Sequence, residues 1–471
     1  MIISISRLIA IYTFLLFTVF TPTKSTFCQE AKHDIKIGKE QSATIAAQMG
    51  IYQNDSMTAY VTSVGNRLVE KLDHKLFDYQ FFIIPDPAPN AFAIPGGYIY
   101  ITTGLLPIIN TEDELACIMA HEIIHSNNRH GVKQIRKSIL PGIIEIPGAI
   151  LGILNDDLGS VFKAPGELWK AGYSRGFETE ADIQGIALAT AAGYDPNSLK
   201  FVLARMANAI EVYTGQSEEK SYFSDHPYTG DRVSNIEKQT AKLSINTKAP
   251  ISKQYLYKFN NVIFGNDPRQ GIIVENQILV PGVSLAITFP ENWEIGIESK
   301  KAFSMNKDQS AVIVFEEETE FKTAKEASSA FISSIPKDKR NNMMMDNYKN
   351  GKVVVYKESS KQGLTFAHLF WLPYNGKLIK IIGLSTRENI PTIKAVVDNL
   401  KPLSERQKES IKTKRVYVTT LKKGQTLSEV AQANKNSLDL PLLEAINEIK
   451  LDEPSQENKL VKLVVDYPFF K

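Results

Sequence analysis

The residues best placed to do chemistry lie in "LACIMAHEIIHSNNRHG", Leu115 to Gly131. From Leu115 to Ile124 only His121 and Glu122 are not apolar, so the run reads as a helix buried on most sides. A carboxylate inside such a helix needs a partner. His121 and His125 are one turn apart and about 40° apart around a helix, so both imidazoles reach one point in space. Neutral imidazole is a zinc ligand, and Glu122 beside a metal is placed to take a proton from water. A pair of satisfied core histidines is the plainer reading, but it leaves a buried Glu122 without a reason. His130, five residues past His125, would point about 140° away on a continuous helix. It is expected as a solvated histidine at the helix end.

A catalytic zinc site needs a third protein ligand. In "SRGFETEAD" Glu178 and Asp182 are four residues apart, hence on one helix face. Glu178 is open between a zinc ligand and part of a solvated acidic face, where Glu180 is expected. Asp182 is suited to accept a hydrogen bond from the outer nitrogen of a ligand histidine, fixing its tautomer. His226, in "SDHPYTGDR", is open between a donor to the transition state, a further zinc ligand from a loop, and a plain loop histidine. One zinc ion per chain is expected.

Several elements must position these residues. "SMTAYVTSVGNRLVEKL" places Met57, Tyr60, Val61, Val64, Leu68 and Leu72 on one helical stripe. "YQFFIIPDP" and "NAFAIPGGYIYITTG" read as strands, the second interrupted by Pro95-Gly96-Gly97. Its Asn90, Ala91 and Phe92 are candidates to pair with an extended peptide backbone. Thr111-x-x-Glu114 is a capping box opening the apolar helix, with Gly131 as its expected stop. A later helix is predicted from Ser174 to Ala192, closed by Gly193, and Asp195-Pro196 opens the next. The apolar, Pro-interrupted stretch from Leu140 to Pro165 reads as a lid.

With 471 residues the chain exceeds one ordinary core, and several domains are expected. Lys+Arg 54 against Asp+Glu 52, without a long basic block, excludes a nucleic-acid electrostatic footprint. Arg7 followed by the short apolar "LIAIYTFLLFTVF" predicts a secretory signal over residues 1–30, with an uncleaved anchor as the alternative. Two cysteines make no disulfide framework. Cys117 is expected in the core, and Cys28 follows bulky Phe27, a poor site for lipidation. The fold class expected is α+β and multidomain: a mainly helical zincin-type domain over 31–246 with a small sheet, connecting strands over 247–280, an α+β domain over 281–403, a charged linker over 404–415, and a small βααβ unit over 416–466.

His121-Glu-x-x-His125, Glu178-x-x-Ala-Asp182 within "YSRGFETEAD", "NAFAIPGGYIYITTGLL" and "HPYTGDR" together resemble the CAAX-prenyl-protease-type zinc metallopeptidases, over about Ile37 to Leu243. The exported layout is similar to the periplasmic branch that includes the β-barrel assembly-enhancing protease. The resemblance implies His121, His125 and Glu178 as zinc ligands and Glu122 as general base. It further implies His226 as a fourth, regulatory ligand, and Arg232 as a site residue. "VYVTTLKKGQTLSEVAQANKNSLDLPLLEAIN" and the strand after it resemble a LysM-type domain, which implies peptidoglycan as a partner. The function expected is an exported zinc metalloendopeptidase acting on unfolded or misassembled cell-envelope proteins. The alternative is an envelope chaperone or peptidoglycan-associated binding protein with a latched zinc site.

Overall fold

The computed structural model describes residues 24–138, 173–214, 226, 230–243, 255–265, 267–298, 301–308, 310–338, 340–360 and 363–470. The expected signal and the expected Leu140–Pro165 lid lie outside them. Among the described residues no helix is long and apolar enough to cross a membrane.

The first part of the chain builds α1 (Lys24–Gln48), α2 (Asp55–Val69), β1 (Gln80–Ile84), β2 (Ala91–Ile94), β3 (Tyr98–Thr102), α3 (Glu112–Asn127), α4 (His130–Ser138), α5 (Arg175–Ala191), α6 (Ser198–Thr214) and α7 (Gly230–Thr240). Asn54, Thr111 and Ser174 cap α2, α3 and α5, each side chain accepting from a backbone N–H three residues on. What reads in sequence as one interrupted strand is a hairpin: Gly96 (φ +85°) and Gly97 (φ +91°) turn β2 back onto β3. In the sheet β3 is central, parallel to β1 and antiparallel to β2, so β2 is an edge. All five residues of β3 are buried because the sheet is covered on both faces. Ile99 and Ile101 join the main core under α2 and α3, while Tyr98 and Tyr100 pack with Ile45 of α1.

The middle of the chain forms two sheets. β4 (Ile272–Val274), β5 (Gln277–Val280), β6 (Leu285–Thr288) and, further on, β14 (Lys401–Pro402) make a four-stranded sheet. The strands around Ile272 and Gln277, expected as connectors, are part of it because β5 pairs with β6. A seven-stranded sheet, in the order β10-β11-β12-β13-β9-β8-β7, contains β7 (Glu294–Glu298), β8 (Lys301–Met305), β9 (Ala311–Glu318), β10 (Met343–Tyr348), β11 (Gly351–Ser360), β12 (Gly363–Tyr374) and β13 (Lys377–Thr386). Alternation along β12 feeds two cores. Ala367, Leu369 and Trp371 pack with α8 (Ala324–Ser334), and Phe370 and Leu372 with α9 (Ile390–Asp398).

The expected linker is ordered structure. Ser404 and Gln407 form a reciprocal capping box that opens α10 (Glu405–Ser410), and Lys412 already begins β15 (Lys412–Leu421). Charge alone concealed a cap and a strand start. Then follow α11 (Leu427–Ala433), α12 (Leu440–Asn447) and β16 (Lys459–Pro468), the last antiparallel to β15.

This βααβ unit shares the core of the first domain. Leu442, Leu443, Ile446 and Leu463 belong to the same apolar cluster as Leu106, Ile108, Leu203 and Met206. Polar groups are buried at this contact, each with a partner. Lys462 is fully buried and donates to the carbonyls of Pro107 and Ile109. Arg205 on α6 donates to both carboxylate oxygens of Glu114 (2.6 and 2.8 Å), to the Ile108 carbonyl (3.1 Å) and to Glu448 (2.6 Å). Glu114 also accepts from the Asn110 N–H at 2.6 Å, so its carboxylate is used here instead of closing the predicted capping box.

Arg205→Met would strand the Glu114 carboxylate in the core, and a loss of about 3–5 kcal/mol in unfolding free energy is expected. Glu448→Gln removes only a half-exposed partner and should cost about 0–1 kcal/mol. Urea titrations of the full chain and both variants check the contrast.

Candidate metal centre

The site is built where α5 presses on α3. A Cβ placed on Gly185 would stand 3.1 Å from the His121 backbone nitrogen and 3.2 Å from its Cα. Only a residue without a side chain lets the helices come this close at His121. Glu178 and Asp182 lie seven and three residues before Gly185, on the same face of α5. The close approach therefore carries both carboxylates onto the imidazoles of α3.

His121, His125, Glu178 and His226 each offer one ligand atom, and these atoms all lie within 4.8 Å of one another, every residue buried. His121 Nε2 is 2.9 Å from His125 Nε2 and 3.3 Å from His226 Nδ1. Glu178 Oε1 is 3.2 Å from His125 Nε2 and 3.0 Å from His226 Nδ1, and its Oε2 is 3.5 Å from His121 Nε2. Glu178 is thus a member of the cluster and not part of a solvated face. Asp182 Oδ1 lies 3.0 Å from His121 Nδ1. That places the proton of His121 on the outer nitrogen and turns its free electron pair inward.

Arg232 of α7 is the buried clasp. Its Nε and Nη2 meet the two oxygens of Asp182 at 2.8 and 2.9 Å, its Nη1 reaches Glu178 Oε2 at 3.0 Å, and Nη1 also donates to the His226 carbonyl at 3.2 Å. One guanidinium thus holds a carboxylate of the cluster, the partner of His121, and the backbone that presents His226.

Electrostatics mark the site as cation-seeking. Burial disfavours a charged His121, yet Asp182 and Glu178 outweigh it and hold the imidazole up at about 9. Burial opposes ionisation of Glu178 too, but His226, His121 and His125 keep its carboxyl well below the usual range. Burial pushes His125 well down, so it offers a neutral ring. Burial raises Glu122, whose two buried carboxylate oxygens have no hydrogen-bond partner among the described residues. His226 Nε2 lies 3.5 Å from Glu122 Oε1. Three imidazole nitrogens and a carboxylate aimed at one point, with a spare carboxylate beside them, form the donor set for zinc.

Two residues departed from expectation. His130 is fully buried, not solvated: its Nδ1 lies 3.0 Å from His125 Nδ1, and its ring stacks on Phe177 at 4.4 Å. The projection failed because α3 ends at Asn127, before Gly131, and Arg129 (φ +59°) redirects the chain. Tyr173, which spacing did not single out, stacks on His125 with ring centroids 3.9 Å apart. Its only signal is an aromatic residue just before the Ser174 cap. Of the proposed peptide-binding residues, Ala91 and Phe92 lie on the β2 edge, while the Asn90 backbone pairs inward with Thr102. A small cavity opens against His125, walled by Ala93, Ile94, Arg129 and Tyr173.

Residues 55–240 match the family model described as Peptidase family M48. The mitochondrial metalloendopeptidase OMA1 of Schizosaccharomyces pombe is 33% identical over 180 residues, covering 38% of this chain and 52% of that protein. The putative beta-barrel assembly-enhancing protease of Vibrio cholerae is 31% identical over 192 residues, 38% of either chain. The beta-barrel assembly-enhancing protease of Escherichia coli is 27% identical over 198 residues, 40% of this chain and 39% of that one. The chain thus spans about half the length, or less, of the relatives it matches. The segment matched by the family model contains the buried His/His/Glu/His cluster. Residues 55–240 are thus similar to Peptidase family M48, and the cluster they carry is compatible with a zinc site.

Proposed function

We propose that the protein is a zinc metalloendopeptidase of the cell envelope, acting on unfolded or misassembled proteins. The observation that carries the reading is Glu122: a fully buried carboxylate with no hydrogen-bond partner among the described residues, beside four convergent ligand atoms. A purely structural helix gains nothing from such a group. His121, His125 and Glu178 would hold the ion. Bound there, zinc supplies Lewis acidity, bringing the pKa of water to about 7 and polarising a peptide carbonyl.

The remaining work falls to this chain's own groups. Glu122, its proton affinity raised by burial, accepts a proton from water and passes it to the leaving amine. Asp182 and Arg232 fix the ring of His121 and the carboxylate of Glu178. The place of β2 (Ala91–Ile94) as an edge strand supports pairing with an extended peptide backbone, which favours unfolded substrates with little side-chain preference. The names of the bacterial relatives, which refer to β-barrel assembly, support an envelope location.

His226 supports a second feature, a latched resting state. Its Nδ1 lies among the ligand atoms, which would fill the position that water needs. A chaperone or binding protein would keep that latch permanently. The LysM-like reading assigns the C-terminal unit to peptidoglycan. Its apolar face in the common core supports a structural role as well.

Glu122→Gln should retain one zinc per chain and lose at least about a hundredfold in casein cleavage. Equal cleavage by variant and wild type would remove Glu122 from the mechanism, and cleavage by neither would favour the binding protein. His226→Ala is expected to raise casein turnover by freeing the latch. A fall in turnover with zinc content unchanged would instead make His226 a donor to the transition state.

A further inference from the structure

His130 is the buried histidine beside the site that the proposed reaction does not use. Its Nδ1 stands 3.0 Å from the outer nitrogen of His125, and its Nε2 stands 3.5 Å from Glu180 Oε2. With Nε2 of His125 turned toward the ligand cluster, the proton of that ring belongs on Nδ1. The neighbouring atom must then accept, which puts the proton of His130 on Nε2, facing Glu180. The His125–His130 pair then has one donor and one acceptor, and the Glu180 carboxylate faces the remaining N–H as a charge at 3.5 Å, without a hydrogen bond.

The surroundings hold His130 in this place. Phe177 lies flat on its ring at 15°, and Tyr173 covers the ring of His125 at 24°. Arg129 adopts a left-handed backbone conformation (φ +59°) that a non-glycine residue holds only when its surroundings fix it. Its guanidinium is held by both oxygens of the fully buried Asp34, at 2.5 and 3.0 Å. That left-handed step starts α4 at His130 and brings its ring back against His125. Glu180 is held in turn by Asn128 Nδ2 at 2.7 Å and Gln184 Nε2 at 3.1 Å.

We propose that His130 is a positioning residue for His125, accepting from its Nδ1–H and so holding Nε2 free for zinc, with the Glu180 carboxylate facing the Nε2–H of His130 as a charge. The proposal rests on the zinc reading above. It assigns the two ligand histidines different outer partners: a carboxylate for His121 and a neutral imidazole for His125. Outer partners of ligand histidines are worth about 10- to 100-fold in metal affinity.

The test is zinc competition against a fluorescent chelator, on the full chain. His130→Leu should bind zinc about 10- to 100-fold more weakly. His130→Gln, whose amide oxygen accepts and whose amide nitrogen donates, should return most of that loss. A wild type that binds tightly with His130→Leu equally tight overturns this inference alone. A wild type that binds no better than His121→Ala overturns the zinc reading and this inference with it. Nitrogen-15 NMR of the zinc-loaded wild type needs no variant to fold: seven histidines give few signals. Protons on Nδ1 of His125 and Nε2 of His130 are expected, and the opposite tautomer of His130 overturns the proposal.

Discussion

The metal centre depends on the distance between two helix backbones at one point. α5 reaches His121 of α3 because Gly185 has no side chain to hold them apart. From that contact the rest follows by helix geometry: Asp182 one turn away reaches the outer face of His121, and Glu178 one turn further reaches the inner face of the cluster. Burial by the same contact makes the carboxylates costly unless they are paired. Arg232 on α7 answers that cost with a single guanidinium, and its bond to the His226 carbonyl ties a fourth element to the arrangement. A larger residue at position 185 would displace the whole ligand set, although it touches no ligand side chain.

Much of this was legible in the sequence wherever the information was local. The spacing of His121, Glu122 and His125 in an apolar run specified a buried helix with both rings on one face, and the structure has it so. Glu178 and Asp182 were placed on one face by the same rule. The Thr111 cap and the helix predicted from Ser174 located two helix starts, whereas the Asn54 cap of α2 was not read. What could not be read was set by contacts between distant segments. His130 was projected along a helix that in fact stops at Asn127. The turn at Arg129 is held by Asp34, about a hundred residues earlier, and no local pattern reports that pair. Glu114 looked like half of a capping box, yet its carboxylate serves Arg205.

The charged stretch from Ser404 to Arg415 shows a second limit. Its composition suggested a solvated linker, but a Ser–Gln cap and strand pairing with β16 outweigh composition. The middle strands β12 and β13 escaped individual notice for a related reason. A sheet covered on both faces carries apolar residues at successive positions, and alternation then loses its value as a signal.

The buried Lys462 has one further consequence. It sits on β16, the last strand among the described residues, yet its Nζ donates to the carbonyls of Pro107 and Ile109 just ahead of α3. The floor under α3 is therefore laid last. A nascent chain that already displays His121, Glu122 and His125 lacks the wall that fixes them. On this geometry the wall ahead of the cluster is complete only once β16 has paired with β15.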